Sequence, residues 1–97
     1  MILIIGGRGT GKREFATTLG CDPEKTLPAL HALEPLPSLK DLLNYEAVIC
    51  DEVGCGVVPM DRHDRERREA IGRLCCQLAQ EAQAVYRLQC GLAMRLK

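Results

Sequence analysis

Two continuous apolar runs and one long stretch of helical periodicity organise the chain. Residues 2–5 (ILII) and Ala47–Cys50 (AVIC) contain no polar side chain, the pattern of strands covered on both faces, as in parallel sheets. The first run enters a glycine-rich turn, Gly6 to Gly11, and Lys12–Leu19 reads as a helix stopped at Gly20. From Asp61 to about Gln83, apolar Ile71, Leu74, Cys75, Leu78 and Ala82 recur at spacings of three and four, which predicts a long amphipathic helix. Ala84–Cys90 (AVYRLQC) is the last strand, ended by Gly91, with LAMRLK as a tail.

The stretch between the first helix and the second apolar run carries Pro23, Pro28, Pro35 and Pro37, a density that argues against any long element. Thr26–Leu30 fits a short edge strand, where proline is tolerated, and Ser38 is a natural N-cap for a short helix over Leu39–Asn44. Val53–Met60 reads as a glycine-containing loop. Strands alternating with helices predict one α/β domain over 1–97, three-layered, with a small, mostly parallel sheet of three or four strands. One long and two short helices cover such a sheet thinly, so a homo-oligomer is expected.

Composition narrows the partners. The 97 residues hold 13 basic and 13 acidic side chains, so no net field draws the chain to nucleic acid or an anionic membrane. No apolar run approaches the roughly 20 residues of a membrane span. Five arginines and four acids crowd Asp61 to Arg73, the pattern of a solvated helix face. Of the six cysteines none forms C-x-x-C, and His31 and His63 stand at no metal-ligand spacing from them. With no export signal, reduced thiols in a cytoplasmic protein are expected.

The chemistry concentrates at the first turn. Gly6 to Lys12 follows G-x-x-x-x-G-K, between an apolar strand and a helix, the context in which backbone N–H groups cradle phosphate. Gly6, Gly7, Arg8, Gly9, Thr10, Gly11, Lys12 and Arg13 are therefore the expected nucleotide-binding residues, for GTP or ATP, with Lys12 reaching the terminal phosphates. The pattern normally continues with a hydroxyl residue that ligates magnesium. Arg13 stands there instead, and a guanidinium cannot coordinate a cation. Mg²⁺ then depends on Asp51 or Glu52, at the carboxyl end of the second apolar run; the plainer reading of these two acids is a solvated strand end.

A longer match gives this turn a context. Glu52-Val53-Gly54-Cys55-Gly56-Val57-Val58-Pro59, followed by Asp61-Arg62, resembles the N-E-V-G-x-G-I-V-P-x-N-R signature of the adenosylcobinamide kinase/adenosylcobinamide-phosphate guanylyltransferase family. Arg65, Arg68, Gly72-Arg73-Leu74 and Leu78-Ala79 are similar to that family's long helix, and Gly91-Leu92-Ala93-Met94-Arg95-Leu96-Lys97 to its G-L-P-L-R-L-K ending. Gly6 to Arg13 resembles its G-G-A-R-S-G-K-S loop, and Glu34-Pro35-Leu36 its E-P-L-x-L segment.

The resemblance implies a P-loop NTPase-like fold and an enzyme of cobalamin assembly. Such an enzyme phosphorylates the hydroxyl of adenosylcobinamide with ATP or GTP, then transfers GMP onto that phosphate through a guanylylated histidine. Carried over, it implies Lys12 and Glu52 as catalytic residues and Asp51 as the metal ligand. The family's longer chains have segments that this sequence lacks before Glu34 and around Asp51–Glu52. The first of them carries the guanylylated histidine. His31, three residues before Glu34, is too close to be that residue and receives no role. The expectation is a nucleotide-binding protein with at most the kinase step. The alternative is a non-catalytic relative, serving as a nucleotide-binding or assembly subunit.

Overall fold

The computed structural model describes residues 1–52 and 62–97. The loop expected over Val53–Met60 and the helix start expected at Asp61 lie outside them. The central strand is β1 (Ile2–Gly6), flanked in parallel by β3 (Ala47–Asp51) and β4 (Ala84–Gln89). A two-residue β2 (Thr26–Leu27) pairs in parallel with β3, and β5 (Leu92–Arg95) pairs antiparallel with β4. The sheet order is β2-β3-β1-β4-β5.

The fifth strand corrects the expected three or four. Cys90 and Gly91 both take positive φ, 51° and 74°, the two-residue geometry that folds a strand straight back on its neighbour. Every residue of β5 is exposed, so no burial pattern marks it in the sequence, and its backbone pairing with β4 defines it. Exposed Leu92, Met94 and Leu96 run along this edge.

Among the described residues three helices cover the sheet: α1 (Lys12–Thr18), α2 (Leu39–Leu42) and α3 (Arg62–Glu81). The expected Ser38 cap is present, its Oγ accepting from the N–H of Asp41 at 3.2 Å. Ala16 of α1 packs with Ile4 and Ile49 on one face, where Phe15 meets Tyr86 edge-to-face at 5.0 Å. On the other face, Leu3, Val48 and Val85 pack with Ile71, Leu74 and Leu78 of α3 and with Leu30 and Leu42. Each such fully buried side chain contributes about 1.5–3 kcal/mol, so α3 is anchored through its C-terminal half. Arg62 to Glu66 at its start are exposed.

Between β1 and β2 the chain runs along one face by way of α1, and between β3 and β4 along the other by way of α3. The two connections diverge at the carboxyl ends of β1 and β3, where open α/β sheets hold their ligands.

Candidate functional site

The loop after β1 is shaped by its glycines. Gly9 and Gly11 adopt φ of 76° and 80°, conformations costly for any residue with a Cβ. Gly6 is constrained differently: a Cβ there would lie 2.6 Å from the carbonyl oxygen of Leu88 in β4. Within the turn, the Thr10 hydroxyl donates to the carbonyl of Gly7 at 2.9 Å.

Lys12, the first residue of α1, is only 7% exposed. Its ammonium donates to the carbonyl of Gly7 at 2.7 Å and lies 2.8 Å from Oδ1 of Asp51. The register that sets Gly6 opposite Asp51, extended by the N–H of Glu52 bonding to the carbonyl of Gly6 at 2.8 Å, puts this carboxylate beside the loop. Burial works to raise the Asp51 carboxyl. The Lys12 hydrogen bond and the fields of His31, Lys12 and Arg8 outweigh it and hold the group below the usual carboxylate range.

His31 completes the group. It sits in a 3-10 turn, Leu30–Ala32, fixed by the fully buried Leu30. Its Nδ1 accepts the backbone N–H of Asp51 at 3.0 Å, and its Nε2 lies 3.3 Å from Oδ2 of the same residue. The ring belongs to the site by contact rather than by motif; the only hint in the sequence is a histidine beside an apolar residue in a proline-rich stretch.

The other expected site residues divide. Glu52 faces Arg87 of β4: Nη2 donates to Oε2 at 3.2 Å, while Nε, 3.0 Å from Oε1 but out of line for a hydrogen bond, makes an ionic contact only. Glu52 is thus tied to Arg87, and Asp51 is the acid facing Lys12. Arg13 lines a pocket of about 220 Å³ between α1 and the segment after it, with Ala16, Thr17, Cys21 and Thr26. Arg8 lies exposed on the loop, close enough for its charge to act on Asp51.

Neither Arg67 nor Arg87 received a site role from the sequence. Arg67 of α3 reaches across to the turn that carries His31, where Nη2 donates to the carbonyls of His31 and Leu33 at 2.8 and 2.6 Å. A charge in a run of charges reads as solvent-facing until such a contact is seen.

The arrangement suits a phosphate chain: left-handed glycines, a close-packed turn and a buried ammonium beside an ionised carboxylate. It also fits a magnesium ion. Among the described residues no three acids, histidines or cysteines cluster as a metal cage. Mg²⁺ characteristically takes one or two carboxylates and completes its shell with phosphate oxygens and water, and Asp51 supplies such an oxygen donor next to the loop.

Among the described residues no helix is long and apolar enough to cross a membrane. No curated protein matches the chain. The family model for cobinamide kinase/cobinamide phosphate guanyltransferase matches residues 31–96, a span that takes in His31, Asp51, Glu52, Arg67 and Arg87 and leaves the glycine-rich loop outside. That match covers two-thirds of the sequence, and the chain belongs to the cobinamide kinase/cobinamide phosphate guanyltransferase family.

Proposed function

We propose that this protein binds GTP or ATP in the loop 6–13 and transfers the terminal phosphoryl group to the hydroxyl of a cobinamide, without the guanylyl-transfer step. The observation that carries this reading is the Lys12–Asp51 pair at 2.8 Å beneath a glycine turn of phosphate-cradling geometry. Phosphoryl transfer asks little covalent chemistry of a protein. It needs the phosphates held in place and their developing charge neutralised.

Backbone N–H groups of the loop would hold the phosphates, with Lys12 exchanging its bond to Gly7 for the terminal phosphate oxygens. Asp51 would hold Mg²⁺, which supplies charge neutralisation when bound, and Arg8 adds positive charge at the rim. Glu52, clamped by Arg87, shapes the carboxyl end of the sheet beside the acceptor hydroxyl. With Arg13 at the usual hydroxyl position, metal affinity is lower than the motif normally gives.

The absence of guanylyl transfer is supported by His31. Its Nδ1 accepts the N–H of Asp51 at 3.0 Å and its Nε2 stands 3.3 Å from Oδ2 of the same residue, which sets the ring against Asp51 rather than open to a phosphorus atom. A second reading, a nucleotide-binding or assembly subunit without catalysis, is favoured by one fact: the family match begins at residue 31, after the loop.

Incubation with adenosylcobinamide and GTP or ATP, labelled in the γ- or α-phosphate, separates the readings. The expected result is γ-label on the cobinamide and no α-label on protein or product. Nucleotide binding without any γ-transfer would favour the non-catalytic reading, and α-label on the protein would refute the loss of guanylylation.

A further inference from the structure

Asp51 is held at its side chain by Lys12 and at its backbone by His31. Lys12 holds Oδ1 at 2.8 Å, and the Nε2 of His31 stands 3.3 Å from Oδ2. Nδ1 of the ring accepts the N–H of Asp51 at 3.0 Å, while Nε2, out of line for a hydrogen bond, makes a close contact only. One imidazole thus fixes the backbone of the aspartate and lies against its carboxylate.

The ring is itself held from a distance. The 3-10 turn bearing His31 ends at Ala32, and Arg67 of α3, 36 residues further along, secures it through the carbonyls of His31 and Leu33. A planar guanidinium can serve two carbonyls at once, which an ammonium on a flexible stem does poorly. Arg67 is half-buried while its neighbours Arg65 and Glu66 are exposed, and it lies on the half of α3 that the apolar stripe does not anchor.

We propose that His31 is a positioning residue for Asp51 and that Arg67 positions His31. The chain Arg67–His31–Asp51–Lys12 thereby keeps one carboxylate oxygen turned away from Lys12 and available to a magnesium–nucleotide complex. The inference rests on the nucleotide-binding reading of the site. Without the ring, the carboxylate is free to turn both oxygens onto Lys12, the nearest cation, and to hold the ammonium back from phosphate. Partners of this kind orient metal ligands, and their loss typically weakens metal affinity while leaving the ligand itself in place.

Two measurements test it. The first needs no ligand: nitrogen-15 spectra of the intact protein, read for the coupling carried across the hydrogen bond from the Asp51 amide to Nδ1 of His31. That coupling is expected in the wild type and is expected to be lost in Arg67→Met. Its absence from the wild type would overturn the contact. The second is calorimetric titration with GTP, with and without Mg²⁺. His31→Asn keeps an acceptor at the Nδ1 position, whereas His31→Gln places its amide at the Nε2 position and leaves the Asp51 N–H without that acceptor. The expected result is that the gain in GTP affinity on adding Mg²⁺ falls about tenfold in His31→Gln and Arg67→Met and is largely restored in His31→Asn, with magnesium-free affinity little changed.

Rescue by Gln rather than Asn, or a magnesium response equal to wild type in all three, would overturn the positioning role while leaving nucleotide binding intact. Failure of the wild type to bind GTP would instead remove the reading on which the role stands.

Discussion

Replacing Asp51 by asparagine keeps the shape of the side chain and removes its charge, leaving the Lys12 ammonium without its anion. Lys12 is 7% exposed and Asp51 29%. Breaking a fully buried pair from one side costs about 3–5 kcal/mol. Here Asp51 is partly open to water, and Lys12 keeps its bond to the carbonyl of Gly7, so Asp51→Asn is expected to cost about 2 kcal/mol. In a domain of this size that lowers Tm by about 10 °C. Lys12→Met removes the buried charge itself and leaves behind an acid that is partly open to water, so it should cost less than about 1 kcal/mol. The double variant should fall short of the sum by more than about 1 kcal/mol, since the two residues act as one pair.

The same pair sets a pH dependence. Asp51 has a folded-state pKa below its ordinary value, so its contribution is complete above the unfolded-state value of about 4 and fades as the pH falls through the folded-state value. Urea denaturation of the four proteins across acid to neutral pH is the assay. The wild-type and Asp51→Asn curves should be separated at neutral pH and converge in acid. A gap smaller than about 0.5 kcal/mol at pH 7, or one unchanged at pH 2, would show that the Lys12–Asp51 pair does not carry this stability.

Other consequences are quicker to check. Gly6→Ala places a Cβ against the Leu88 carbonyl at 2.6 Å and Thr10 Oγ1 at 3.0 Å; the strand backbone cannot swing aside, so a loss of about 1–3 kcal/mol is expected by thermal denaturation, together with weaker nucleotide binding. Arg13→Ser restores a hydroxyl at the motif's last position and should tighten magnesium-dependent GTP or ATP binding in calorimetry; unchanged affinity would show that Arg13 is not what limits the metal. Lys97→Met removes a cation that reaches the end of α3 through the carbonyls of Ala79 and Gln80 at 3.1 and 2.6 Å. A loss of about 0.5–1 kcal/mol is expected, read as a drop of a few degrees in Tm.

The parts of the molecule that could be read from the sequence are those whose cause is local. ILII and AVIC lack polar residues because both faces of β1 and β3 are covered, and the glycine-rich turn is spaced by the backbone it must bend. The spacing of Ile71, Leu74 and Leu78 follows from the one face that α3 buries. Asp51 was legible for the same reason, as the first acid after a buried strand.

What stayed hidden depends on contacts across the fold. His31 reaches Asp51 over 20 residues, and no periodicity marks a single ring in a proline-broken segment. Arg67 stands in a run of charges, and Arg87 in a strand whose alternation treats it as solvent-facing, so their bonds to carbonyls and to Glu52 leave no sequence signal. β5 was hidden by its exposure, and its hairpin by a cysteine in a turn position where asparagine or glycine would have announced it.

The proposed function requires that loop 6–13 and Lys12 grip a nucleotide, with Asp51 holding its metal. The decisive measurement is calorimetric titration of GTP and ATP into the wild type and Lys12→Ala, each with and without Mg²⁺. Saturable binding of at least one nucleotide to the wild type, strengthened by Mg²⁺ and lost in Lys12→Ala, is expected; no heat of binding for either nucleotide, or equal binding by Lys12→Ala, would rule out a nucleotide grip at this loop.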